Sequence, residues 1–305
     1  METPQSSANP LVILNPAANR GKMGRHREAV RVRAARESAE YVETTGPGKA
    51  KELALTAAKE GRPVIIIGGD GSAHEAVNGI LGSGRRVPLG IIAAGSGNDF
   101  AWNTLKLPRD PVAAIEHAFG GRLVAVDAGT VNGCYFVNSF SVGLDADIAV
   151  AANRMKNMPL MSGARLYYTS TVKQLVFGYH RCPWLSFELD RDEPAGNKLF
   201  KRCVLMAVTN GPTYGAGFRI NPTADATDGL FDICTIDYLP LFHALKLLPI
   251  VKKGEHAGLP EVKFYRAKSV YIESQYPVNM QMDGETTSSK CYNARILPGA
   301  LWVRI

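Results

Sequence analysis

Val64-Ile65-Ile66-Ile67-Gly68-Gly69-Asp70-Gly71-Ser72-Ala73-His74-Glu75-Ala76-Val77-Asn78-Gly79-Ile80-Leu81 is the stretch that decides the fold. The run Val64 to Ile67 is β-branched throughout, which reads as a strand buried on both faces. The chain then turns through Gly68 to Ser72. From Ala73 the apolar residues Ala73, Ala76, Val77, Ile80 and Leu81 fall at i, i+3, i+4, i+7 and i+8, the pattern of an amphipathic helix, stopped at Gly82-Ser83-Gly84. A buried strand running through a glycine turn into a helix is the building block of a parallel α/β sheet.

The flanking sequence repeats the block. Upstream, Leu11 to Leu14 breaks at Asn15-Pro16 before a polar, basic segment, and Lys49 to Glu60 is a helical run ending at Gly61. Downstream, a third apolar run, Leu89 to Ala94, is followed by Asp110-Pro111, an N-cap and N1 proline for a helix through Phe119 closed by Gly120-Gly121. The order βαβαβα predicts a parallel sheet with helices on both faces. After about Asp127 short β-rich runs crowd together (Tyr135 to Val142, Trp184 to Leu189, Cys203 to Val208, Leu230 to Ile236, Ser269 to Glu273, Val278 to Met282), interrupted by helical patterns near Leu144 to Arg154, Ala164 to Phe177 and Leu241 to Val251. This predicts a mainly antiparallel second domain. The expected division is an α/β domain over residues 1–128 and a β-rich domain over 129–295, with the final strand, about 296–305, free to return to the first.

Composition narrows the function classes. A chain of 305 residues with 46% hydrophobic and 21% charged residues is an ordinary globular protein, long enough for two domains. The net charge of +7 favours anionic partners: nucleotide, nucleic acid or membrane. Five cysteines, odd in number and never spaced CxxC, read as reduced thiols of a cytosolic protein and argue against a disulfide framework or zinc site. No secretory signal opens the chain, and nothing approaches the ~18 apolar residues of a transmembrane helix, so membrane contact is expected to be peripheral.

Three strands of the first domain run into turns suited to phosphate: Asn15-Pro16-Ala17-Ala18-Asn19-Arg20-Gly21-Lys22, Gly68-Gly69-Asp70-Gly71-Ser72 and Gly95-Ser96-Gly97-Asn98-Asp99-Phe100. In a parallel sheet such turns share one edge, where ligands bind. Glycine lets backbone approach a phosphate, and the next helix offers unpaired N–H groups. Arg20 and Lys22 can meet phosphates, while Asp70 and Asp99 can hold Mg²⁺. Tight turns with glycines for packing explain any one of the three; together they point to a nucleotide. No GxxxxGK[ST] occurs, no GxGxxG follows a strand, and His74-Glu75 does not extend to HExxH.

Gly68-Gly69-Asp70-Gly71-Ser72 with Glu75 and Asn78-Gly79 resembles the GGDGT…E..NG signature of the diacylglycerol kinase catalytic domain superfamily, which includes bacterial lipid kinases and sphingosine and ceramide kinases. The resemblance continues through Asn15-Pro16, Gly95-Ser96-Gly97-Asn98-Asp99-Phe100-Ala101 and Asp127-Ala128-Gly129. It extends to Pro222, Ala224, Asp228-Gly229-Leu230 and Asp283-Gly284-Glu285, nearly the whole chain. GGDG alone also resembles NAD kinases and phosphofructokinases; the later motifs favour the lipid kinases. The resemblance implies an NAD kinase/phosphofructokinase-like α/β domain, a β-sandwich-like second domain, and ATP and Mg²⁺ as cofactors. It implies a lipid acceptor at a membrane surface, diacylglycerol by default, and a cytoplasmic, peripherally membrane-associated protein. The ATP-binding candidates are Asn15, Arg20, Lys22, Gly68, Gly69, Gly71, Ser72, Gly95, Ser96, Gly97 and Asn98. Asp70 and Asp99 are the Mg²⁺ candidates. Glu285, with Asp283, is the candidate for drawing the acceptor proton; Asp70 is its rival, and Asp283-Gly284 also reads as a hairpin turn. Asn19 replaces a usual glycine, and Thr227 replaces the first aspartate of a DDG pair, leaving Asp228 and Asp225 as candidates for an accessory metal. The alternatives are a kinase of a soluble acceptor such as NAD and a non-catalytic binding module.

Three further features bear on partners. The basic run Arg20, Lys22, Arg25, Arg27, Arg31, Arg33 and Arg36 reads as a solvated helix face, with orientation on an anionic leaflet as the second reading. Leu241, Leu245 and Leu248, before Lys252-Lys253, read first as core. The loop Met155 to Met161 is a candidate acyl lining. No recognition motif supports nucleic acid, and a homodimer stays open.

Overall fold

The computed structural model describes residues 4, 8–18, 24–155, 163–191, 197–215 and 217–305. Asn19, Arg20 and Lys22, and the methionine loop past Met155, lie outside the described residues. In the first half, strands β1 (Leu11–Leu14), β2 (Glu40–Glu43), β3 (Val64–Gly68), β4 (Pro88–Ala93) and β5 (Leu123–Val131) alternate with helices α1 (Gly24–Arg36), α2 (Lys49–Lys59), α3 (Asp70–Gly82) and α4 (Pro111–Gly120). β1 pairs in parallel with β2 and β3, and β3 with β4. Side chains alternate as a two-sided sheet requires: Leu11, Ile13, Val64 and Ile66 pack with α2 and α3, while Val12, Leu14, Ile65 and Ile67 pack with α1 and α4. Asp110 caps α4, its carboxylate accepting the Ala113 N–H at 2.9 Å, with Pro111 at the first helical position.

The second half contains β6 (Cys134–Phe136), β7 (Ser139–Gly143), α5 (Leu144–Met155), α6 (Gly163–Phe177), β8 (Trp184–Leu189), β9 (Asn197–Thr209), β10 (Phe231–Asp237), α7 (Leu241–Lys253), β11 (Val262–Ala267), β12 (Ser269–Met282) and β13 (Glu285–Arg304). The expectation of a separate parallel sheet is corrected here. One 13-stranded sheet runs β11-β10-β9-β7-β12-β13-β4-β3-β1-β2, and from β13 outward it is antiparallel. β13 makes the join: it pairs antiparallel with β12 and β5, and its end, Trp302 and Val303, pairs in parallel with β4. The final strand is therefore shared by both halves. Buried Phe136, Phe140, Phe187, Phe231 and Tyr292 centre the second core.

Two surface readings resolve locally. The α1 arginines tie the helix to its neighbours, Arg27 to Glu43 (2.8 Å), Arg33 to Glu37 and Glu116 (3.1 Å each), and Arg31 over the Tyr41 ring. On α7 the residues turned into the core are Ala244, Leu247 and Val251, while Leu245 and Leu248 stay exposed.

Candidate active site

The three turns foreseen from sequence meet at one sheet edge because β1, β3 and β4 are parallel neighbours. Asn15 donates from Nδ2 to Ser72 Oγ at 2.8 Å, joining the first turn to the second. The second and third turns cross glycine on glycine: a Cβ on Gly95 would sit 2.6 Å from Gly69 Cα, closer than real atoms pack, and one on Gly69 would crowd Gly95 Cα at 3.1 Å. Asn98, buried and left-handed (φ 57°), clasps Gly95 with both ends of its amide, Gly95 N–H to Oδ1 at 3.0 Å and Nδ2 to Gly95 O at 2.8 Å. Together these turns wall a cleft of about 580 Å³ lined by Asn15, Gly69, Asp70, Gly71, Ser72, Gly95, Ser96, Gly97, Asp283 and Glu285. Gly68 ends β3 behind this lining, and Asn98 works from beneath it.

Asp70 opens α3, and its Oδ2 accepts the Asn98 N–H at 2.6 Å. Burial pushes its carboxyl up to about 6; the Asn98 N–H opposes that rise, and the charges of Asp99 and Asp283 add to it. Asp99 begins a single π-helical turn (Asp99–Thr104) and is buried, its Oδ1 accepting from Asn103 Nδ2 (2.8 Å) and Thr213 Oγ1 (2.9 Å). Asp283 and Gly284 both have positive φ (46° and 96°), the backbone of a tight hairpin turn between β12 and β13. The Asp283 carboxylate also accepts backbone N–H groups of Val137 (2.9 Å), Asn138 (3.1 Å) and Ser139 (2.9 Å), and His74 Nδ1 lies 3.4 Å away. Asp283 thus fastens the hairpin to the loop between β6 and β7. Glu285 is exposed at the cleft rim.

A second pocket of about 280 Å³ adjoins the cleft, lined by Asp70, Asp99, Phe100, Asn138, Asp145, Asn153, Tyr214 and Asp283 among others. Asp70, Asp283 and Gly284 line both. This pocket shares Asp145, Tyr214 and Gly215 with an apolar cavity of about 140 Å³, bounded by Leu144 and Ile148 of α5, Leu175 of α6, and Ala244 and Leu247 of α7. Asp145 accepts the hydroxyls of Ser141 and Tyr214 (2.8 Å for the latter), and burial raises its carboxyl. Sequence reasoning did not single out Asp145 or Tyr214; an aspartate within the apolar run Val142 to Ile148 was the available signal. It also passed over Thr44 to Pro47, which line the cleft after β2.

The carboxylates fit a cation unequally. Asp70 and Asp99 repel each other across the second pocket, where only Asp70 also reaches the cleft, and Mg²⁺ needs only one or two carboxylates beside substrate phosphates; among the described residues no group of three His, Cys, Asp or Glu is placed to hold a metal. Asp228 lies elsewhere, bonded to the Arg266 guanidinium, which also reaches Asp232 at 3.5 Å, while Asp225 accepts Thr227 N–H and hydroxyl. Arg266 already occupies the Asp228 carboxylate, so a metal there would have to displace it.

Residues 9–131 match the diacylglycerol kinase catalytic domain, and residues 138–305 match the YegS C-terminal NAD kinase beta sandwich-like domain. The chain belongs to the diacylglycerol kinase family. It is 30% identical over 300 residues to a diacylglycerol kinase of Mycobacterium tuberculosis (95% of this chain, 93% of the relative). It is 31% identical over 283 residues to a protein of Chromohalobacter salexigens named as a YegS-like lipid kinase (90% and 86%). A solved chain from Bacillus anthracis str. Sterne shares the fold with TM-score 0.79 at 23% identity, covering 97% of this chain and 96% of that one. Membership makes the chain a lipid kinase and gives its signature residues structural reasons. Glu75 caps α2, accepting Gly48 N–H (2.9 Å) and Ala50 N–H (3.1 Å), and Asn78 bonds the backbone of Tyr135 in both directions.

Proposed function

We propose that the protein transfers the γ-phosphate of ATP to a hydroxyl of a lipid, diacylglycerol by default, at a membrane surface reached from the cytoplasm. The observation that carries this reading is the position of Asp70 on the wall common to the cleft and the second pocket, with an apolar cavity on the far side of the Asp145, Tyr214 and Gly215 that line the second pocket. The cleft suits ATP, with Gly69, Gly71, Ser96 and Gly97 presenting backbone to its phosphates. The apolar cavity suits an acyl chain, which a soluble acceptor such as NAD does not have. Asp99 would hold Mg²⁺, directly or through water, with Asp70 reaching the ion at most through water so that its carboxylate stays free to accept a proton, and the ion would neutralise charge on the phosphates.

Of the two candidate bases, Asp70 is favoured by place: it borders both pockets, Asp283 is engaged by three N–H groups, and Glu285 stands at the rim. Asp70 takes the proton of the acceptor hydroxyl as that oxygen bonds to the γ-phosphorus; the bond from phosphorus to the β,γ-bridging oxygen breaks and ADP leaves. The test is transfer of labelled γ-phosphate from Mg-ATP to a panel of diacylglycerol, monoacylglycerol, sphingosine, ceramide, phosphatidylglycerol and NAD. Labelled lipid that vanishes in Asp70→Asn is expected. Label on NAD alone would move the protein to a soluble acceptor, and no label despite ATP binding would favour a binding module.

A further inference from the structure

Among the described residues, large apolar side chains stand exposed very unevenly. In the N-terminal half only Val32 and Val112 do so; the rest, from Val172 to Tyr276, belong to the second half. Six of them belong to α6, the β8–β9 hairpin and the middle of β12, three segments that each send a residue into one groove. Val172, Val176 and Phe177 project from the helix, and the Trp184 and Phe200 rings stack at 5.1 Å on the neighbouring β8–β9 hairpin. Ser274 Oγ donates to Trp184 O at 3.3 Å, which brings the irregular stretch of β12 that carries Tyr276 alongside. Phe177, Pro183 and Pro277 then line one open groove of about 510 Å³ together with Arg154, Lys173 and Arg181. Phe177, Trp184, Phe200 and Tyr276 are each more than half exposed (68%, 55%, 67% and 69%), the kind of exposed aromatic surface that marks an interaction site.

The charge on this face identifies its partner. Arg154, Lys173 and Arg181 are exposed and form no ion pair with a carboxylate among the described residues. The Asp147 carboxylate in the groove accepts from Asn279 Nδ2 at 2.6 Å and faces Arg181, which leaves Arg154 and Lys173 as the cations without a carboxylate opposite them, and Glu273 as the exposed acid nearby. Aromatic rings beside uncompensated cations fit the boundary between acyl chains and anionic headgroups. The same helix also connects the face to the lipid site: α6 turns Thr171 and Leu175 into the apolar cavity while Val172, Val176 and Phe177 face outward.

We propose that this face, centred on Phe177, Trp184, Phe200 and Tyr276 and flanked by Arg154, Lys173 and Arg181, is the surface by which the protein docks on an anionic bilayer, with α6 lying between the bilayer and the acyl cavity. The proposal rests on the lipid-kinase reading, and its test does not use turnover. Flotation with phosphatidylcholine vesicles, with and without phosphatidylglycerol, compares the wild type with Phe177→Ser/Trp184→Ser/Tyr276→Ser and with Arg154→Glu/Lys173→Glu. The wild type is expected to float with the anionic vesicles, and each variant to lose about tenfold or more of that partitioning, since binding scales with inserted apolar area and with charge. Phosphorylation of a short-chain, water-soluble diacylglycerol should persist in both variants. A loss of that activity with a lowered melting temperature marks misfolding, and the charge variant, which removes no packing, then carries the test. Wild-type partitioning in both variants, equal flotation on neutral vesicles, or a dimer that the aromatic variant dissociates without change in flotation would each overturn the proposal. Failure of label transfer to every lipid, with flotation as expected, would instead overturn the lipid-kinase reading alone.

Discussion

Asp70 Oδ2 and the backbone N–H of Asn98 are 2.6 Å apart, so the carboxylate of one phosphate-type turn fixes the backbone of the next. Asn98 is held left-handed at the point where the π-helical turn begins, and Asp99 follows it into the second pocket. One carboxylate therefore orients the backbone of the cleft and also borders the second pocket. That dual position makes Asp70 the most informative residue to change.

Asp70→Asn is expected to lower kcat by ~10²- to 10⁴-fold, the range for loss of a general base, with the Asn98 contact preserved by the amide oxygen. Glu285→Gln, at the rim, should cost about tenfold or less. Steady-state kinetics on both variants is the check. The reverse order of losses would transfer the base to Glu285.

The raised carboxyl of Asp70 makes a stability prediction for metal-free protein. Its folded value of about 6 lies above the 3.8 of an ordinary aspartate, so the folded state binds this proton more tightly than the unfolded chain. Its stabilising contribution is complete below about pH 4 and is lost as pH rises through about 6. Asp70→Asn removes that dependence. The melting temperature of the variant minus that of the wild type, measured with EDTA, should therefore climb between about pH 4 and pH 7, by a few degrees. Asp232, also raised to about 6, is present in both proteins and cancels. A difference that stays flat over that interval would rule out the raised carboxyl.

What the sequence disclosed here was local. The three turns, the Asp110 cap and the strands Leu11–Leu14 and Val64–Gly68 could be read because their determinants lie within a few residues of one another. Asp283-Gly284 invited two readings, hairpin turn or functional carboxylate. Its backbone is that of the hairpin, while its carboxylate binds Val137 to Ser139, well over a hundred positions away, a partnership that no spacing announces. For the same reason the sequence could only leave the final strand open to either domain, since the simultaneous pairing of β13 with β4, β5 and β12 is decided by register between distant segments. Glu40–Glu43 was missed because a four-residue strand with a polar residue at each end has little apolar pattern to detect.

Asp127 shows the structural use of a signature aspartate. Almost wholly buried, it accepts Gly229 N–H on Oδ2 and Gly299 N–H on Oδ1, both at 2.7 Å, tying β5 to the Asp228-Gly229 turn and to the bend in β13. Asp127→Ala leaves two N–H donors without this acceptor, each costing ~1 to 3 kcal/mol, so a total loss of about 2 to 6 kcal/mol is expected. Urea unfolding should show the lower midpoint while the folded fraction keeps its kcat. An unchanged midpoint would mean that water satisfies those donors as well.

Two glycines of the same signature should separate in their effects. A Cβ at Gly79 would lie 2.4 Å from Lys51 O and 2.8 Å from Leu55 N, because α3 and α2 touch there through backbone. Gly79→Ala must push the helices apart and should cost ~1 to 3 kcal/mol, with modest effect on the KM for ATP. At Gly71 a Cβ meets nothing within 4 Å and φ is not positive, so the fold has no use for the missing side chain. Yet Gly71 lines the cleft where the second turn meets α3, so a methyl group there intrudes only on what enters the cleft. Gly71→Ala should therefore melt within a degree or two of the wild type, consistent with a surface substitution, and raise the KM for ATP by about tenfold. Equal KM values for wild type and Gly71→Ala would place the phosphates elsewhere in the cleft, away from the second turn.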